Sequence, residues 1–207
     1  MKLVDMTVTR YLEVLKSNAP APGGGSVSAL SGVQAAGLCM MVCDLTIGKE
    51  KYAEFEKVCV ETKEKMQSIY TELYEGVDND TEAFNLVSAA YKLPKETEEE
   101  KAFRSLKIRD ANIKATEVPF HTVELCLDGL KIMQGLSGKY NINAASDFGV
   151  AALSFLTGAR GAWLNVKINL PGVKNEELKS KFSKAEEMVI EAEKIANEIY
   201  LNVEGEL

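Results

Sequence analysis

A chain of 207 residues, 46% hydrophobic and 27% charged, is long enough for one well-filled core and short of the size at which chains divide, so a single domain over residues 1–207 is expected. Its formal net charge of -7 argues against nucleic acid and anionic membranes as partners, since both require clustered cations. Four cysteines without a CxxC pair and a lone histidine support neither a disulfide framework nor a zinc site, and the charged first ten residues lack a signal-peptide core, so buried thiols in a cytoplasmic protein are expected.

Val8, Tyr11, Leu12 and Leu15 share one helical face behind Thr7, a fitting N-cap, and predict a short amphipathic helix over 7–16. Pro20, Pro22 and Gly23–Gly25 break the pattern, and Ser26 opens an uncharged stretch to Cys43. That stretch matches a short membrane span in length, but its serines, Gln34, Gly32 and Gly37 lower its hydrophobicity too far, and it reads as a buried helix. Ser28, Gly32 and Ala36 recur every fourth residue, leaving a face across which another backbone can approach closely. A third helix carries Tyr52 to Leu73 at alternating spacings of three and four, with Gly76 as its predicted end.

Asp78-Asn79-Asp80 lead into a helix closed by Pro94, and Thr97 with Glu100 forms a capping box for a charged helix that Pro119 ends or kinks. A further helix follows over Phe120 to Met133. Ser146-Asp147 begin a second small-residue helix with Gly149, Ala151, Ala152, Gly158 and Ala162, stopped by Pro171-Gly172. Asn175 caps a last amphipathic helix reaching Ile199. The sum is an all-α bundle of about eight helices, with the two small-residue helices central or at a subunit contact.

Each polar motif carries two readings. The Pro22–Ser26 loop presents amides at a helix start and suits an anion, or is a tight turn that permits close packing; it lacks the Lys-Ser/Thr ending of a phosphate loop. Asp78 and Asp80 serve as helix caps or as chemistry-bearing acids. Asp147 is an acid at the head of an uncharged helix. Asn165 and Asn169, four apart, either read a polar heterocycle or cap a helix end. His121 is given no role.

In order along the chain, APAPGGGS (Ala19–Ser26), LTIGK (Leu45–Lys49), DTEAF (Asp80–Phe84), LPKETEEEK (Leu93–Lys101), SDFGVAA (Ser146–Ala152) and NVKINL (Asn165–Leu170) resemble the cyclodeaminase/cyclohydrolase family of one-carbon metabolism. The resemblance implies an all-helical homodimer that binds a reduced folate, mono- or polyglutamylated, near the subunit contact, without metal or redox cofactor. It implies Asp80 as catalytic base and admits Asp78 as a helper. Asp147 becomes the candidate for pterin recognition, because one carboxylate accepts adjacent N–H groups in parallel. Gly23, Gly24, Gly25 and Ser26 then contact the ligand or set the helix position, and Asn165 and Asn169 complete the polar lining. The expected activity is that of a methenyltetrahydrofolate cyclohydrolase, since no transferase half accompanies the chain. Formiminotetrahydrofolate cyclodeaminase activity and a catalytically silent folate-binding dimer are the alternatives.

Overall fold

In the computed structural model, residues 2–207 are described, and they form seven α-helices and four short 3-10 turns with no strand among them. The helices are α1 (Val8–Leu15), α2 (Gly24–Asp44), α3 (Glu56–Tyr91), α4 (Glu98–Leu136), α5 (Ala145–Asn169), α6 (Glu176–Ser183) and α7 (Ala185–Glu206). The all-α bundle agrees with the sequence reading, while the helix count differs at three places for identifiable reasons.

Gly76 does not end a helix; it lies inside α3, where a β-carbon would stand 3.5 Å from that of Ala29 and 4.0 Å from Thr122 Oγ1. Close packing of α2 and α4 on both sides offsets the roughly 1 kcal/mol that an interior glycine costs a helix. Pro119 likewise sits buried inside α4. Its ring leaves the Ala115 carbonyl without an N–H donor, and Asn169 Nδ2 of α5 supplies one at 2.7 Å. The last predicted helix, by contrast, divides at Lys184, whose N–H turns back to the Lys181 carbonyl. The capping box forms as read: Thr97 Oγ1 accepts from Glu100 N, and Glu100 Oε2 from Thr97 N, both at 3.1 Å.

The two small-residue helices are the centre of the bundle. α5 lies against α2, α4 and α7, and a β-carbon at Gly158 would come within 2.9 Å of the Ser28 carbonyl oxygen of α2. More than half of α2 is interior, which accounts for a helix apolar and long enough to pass for a membrane span. Phe148, Phe155, Phe182, Met66 and Leu73 fill the remaining core, and all four cysteines are free and buried there. Burial pushes the Cys59 thiol up to about 11, so that sulfur stays protonated.

Length decides what lies outside the core. At 1.5 Å per residue α3 and α4 run about 54 and 58 Å, against about 32 Å for α2 and 38 Å for α5. The ends of α3 and α4 joined by residues 92–97 therefore continue past the start of α2 and the end of α5. A recess is left at that step.

Candidate active site

The recess is a cleft of about 290 Å³. Pro20, Ala21 and Gly23 of the loop before α2 and Gly24, its first residue, form one wall, and Asp80, Thr81, Phe84 and Val87 of α3 another. Ala115 of α4 and Asn165, Ile168 and Asn169 of α5 close it. Loop, DTEAF and NVKINL stretches, far apart in sequence, thus meet around one space. Asp80 is the single ionisable residue in this lining among the described residues.

The Asp80 carboxylate is held from one side. Ser26 N and Ser26 Oγ donate to its Oδ2 at 3.0 and 3.3 Å, and Ser26 Oγ also lies 3.3 Å from Thr81 Oγ1. The anion that the glycine-rich helix start receives is therefore the protein's own carboxylate, on the third residue of α2. Gly25 makes the approach possible, because a β-carbon there would overlap Asp80 Oδ1. Among the described residues Oδ1 has no hydrogen-bond partner. Burial raises the Asp80 pKa above the ordinary aspartate value of 3.8, and the two Ser26 hydrogen bonds act against that rise. A half-restrained carboxylate of raised basicity is suited to accept a proton.

The two asparagines on the lining are each held by one amide hydrogen. Asn165 Nδ2 donates to the Gly161 carbonyl at 2.9 Å and Asn169 Nδ2 to that of Ala115. Each amide thus keeps its Oδ1 and a second N–H free of these two bonds. Among the described residues the Asp80 carboxylate is the one charged group on the lining, a match for a ligand carrying positive charge.

Two sequence-derived candidates lie elsewhere. Asp78 precedes Asp80 by two residues on a continuous helix, about 200° around its axis. Its Oδ1 accepts from Leu3 N at 2.6 Å and its Oδ2 is buried without a partner, so it anchors the N-terminal segment and does not line the cleft. Asp147 stands in the first turn of α5 while Asn165 is near its end, about 27 Å along the axis, so the two do not line one cleft within a chain. Ser146 is not a cap either; α5 starts at Ala145 behind Ala144.

The structure adds Tyr11, Thr81, Phe84 and Ile168. Thr81 and Phe84 belong to the DTEAF block, and Phe84 follows Asp80 by one helical turn, a spacing that marks it as a neighbour. Tyr11, which reads as a core residue on the apolar face of α1, buries a hydroxyl with no hydrogen-bond partner. Its pKa is raised by burial and, secondarily, by the nearby Asp80 charge.

Residues 7–188 match the formiminotransferase-cyclodeaminase family profile. A methenyltetrahydrofolate cyclohydrolase of Methylorubrum extorquens is 39% identical over 202 residues, 97% of each chain. A formimidoyltransferase-cyclodeaminase of Rattus norvegicus is 30% identical over 179 residues, which span 86% of this chain and 33% of that longer one. The crystal structure of a formiminotetrahydrofolate cyclodeaminase from Thermotoga maritima superposes with a TM-score of 0.85 at 26% identity, covering 97% of both chains.

Proposed function

The chain belongs to the formiminotransferase-cyclodeaminase family, and from that premise we propose that it hydrolyses 5,10-methenyltetrahydrofolate to 10-formyltetrahydrofolate. The observation that carries the reading is the free Oδ1 of Asp80, the one ionisable residue on the lining of the cleft among the described residues. The methenyl carbon bridges N5 and N10 as a delocalised cation, and a carboxylate beside it both attracts the ligand and activates water. Asp80 takes a proton from water as the oxygen bonds to the carbon. The C–N5 bond of the hydroxy adduct then breaks, N5 takes up a proton, and the adduct's O–H proton is lost. One proton is released overall. The step uses water and moves no electrons to or from an acceptor, so the proposal calls on no metal or redox cofactor.

The cyclohydrolase reading is favoured over the cyclodeaminase one by the 39% identity across almost the whole of both chains. The two separate in solution. Loss of the methenyl absorbance on adding the protein supports the hydrolysis, and ammonia release from 5-formiminotetrahydrofolate with no effect on the methenyl compound would replace it with the cyclodeaminase.

The proposal includes a homodimer. Met41 of α2 and Leu45 just after it, with Val150, Leu153, Leu164 and Ile168 of α5, are large apolar residues left exposed, as at an interface. On α5 the face is arranged about Thr157: Val150 and Leu164 each lie seven residues from it, Ser146 and Ile168 eleven. A two-fold axis at Thr157 would pair Val150 with Leu164 of a second copy. It would also carry the second copy's Asp147 toward Ile168 at the cleft edge, which is how that acid could serve pterin recognition.

A further inference from the structure

Beyond the cleft, along the overhanging α3–α4 hairpin, runs a groove of about 380 Å³ whose lining is almost wholly apolar. Leu86 and Ala90 of α3, with Leu93 just after it, face Phe103, Lys107 and Ala111 of α4 across it. Groove and cleft are successive stretches of one surface: Ala115 in the cleft wall and Ala111 and Lys107 in the groove stand four residues apart on one face of α4. From Ala115 to Lys107 is about 12 Å along the helix.

Chemical character changes in order along this path. The cleft offers a carboxylate among polar amides, the groove an apolar trough, and Lys107, its Nζ beside the Phe103 ring, a cation. Lys107 has no carboxylate within ion-pair distance among the described residues, and its Nζ lies 5.4 Å from the Phe103 ring centroid. Asp110 on the same rim has its Oδ1 3.5 Å from Arg109 Nε. Phe103 and Leu86 are about half exposed, so the trough is open to a ligand.

A reduced folate has the same succession: an N–H-rich pterin with the cationic bridge, then a benzoyl ring, then a glutamate bearing carboxylates. We infer that the p-aminobenzoylglutamate half of the substrate lies in the α3–α4 groove, its ring against Phe103 and Leu86 and a glutamate carboxylate on Lys107. The inference rests on the folate reading above and deepens it, assigning the tail a place that Asp80 and the cleft do not determine. Binding there is far from the reacting carbon and is equal in ground and transition states, so its loss shows in KM and not in kcat.

The test compares 5,10-methenyltetrahydrofolate with 5,10-methenyltetrahydropteroate, which lacks the glutamate. Lys107→Ala is expected to raise KM for the folate about tenfold, the worth of one charge-assisted hydrogen bond, and to leave KM for the pteroate where it was. Phe103→Ala is expected to raise KM for both. Both side chains are on the surface, and circular dichroism checks that the helices persist. Equal KM changes for the two substrates in Lys107→Ala, or none for either, would overturn the placement. A wild-type protein that consumes neither substrate would instead overturn the folate reading, and the groove assignment with it.

Discussion

Asp80 divides its carboxylate between two tasks, Oδ2 fixing the start of α2 through Ser26 and Oδ1 facing the cleft. Because burial raises its pKa in the folded chain, the native state keeps a proton that the unfolded chain has already lost. Stability from this group is therefore full below the ordinary aspartate pKa and declines as pH rises through the higher native value. Asp80→Asn, whose amide oxygen can still accept from Ser26, should then unfold at the same temperature as the wild type or higher at neutral pH. That gain should vanish in acid, as scanning calorimetry across pH would show. In the wild type, kcat/KM should fall on the acid side with a midpoint above 3.8, the mark of a buried base that must be ionised to act. The short blocks along the chain singled out Asp80, the glycine loop and the two asparagines, and the fold gathers them around one cleft. The difference between Asp78 and Asp80 was not, because it depends on both lying within one unbroken helix, where two residues of separation turn the side chains to different faces.

At the scale of the element, local signals were trustworthy where their physics is local. Thr97 with Glu100 and the caps Thr7 and Asn175 act within one turn, and each makes the predicted hydrogen bond. Gly76 and Pro119 misled because their effect depends on what packs beside them. The Pro119 break is repaired by a side chain fifty residues away, the amide of Asn169, which a window of sequence cannot contain. Asn169→Ala would leave the Ala115 carbonyl short of a donor and should lower unfolding stability by about 1 kcal/mol, read from urea titration. An unchanged midpoint would mean that water replaces the amide without loss.

For the whole molecule, the bundle was foreseeable from periodicity, and the central place of α2 and α5 from their lack of bulk and charge. What could not be foreseen is that α3 and α4 outrun their neighbours, which creates the cleft and its continuing groove. The apolar α2–α5 face belongs to this scale as well. Leu164 is 67% exposed, so Leu164→Glu should leave the subunit folded while shifting it to monomers in sedimentation velocity. A variant that sediments as the wild type does would move the proposed interface elsewhere.

In the proposed reaction one carboxylate at the junction of α2, α3 and α5 activates water against a cationic one-carbon bridge. Single-turnover decay of the methenyl absorbance, followed with wild type and Asp80→Asn at equal concentration, addresses it most directly. The variant should bind the folate and slow the decay by roughly a hundredfold to ten-thousandfold, the usual worth of general acid–base help. Decay at the wild-type rate in a folded Asp80→Asn protein would contradict the account.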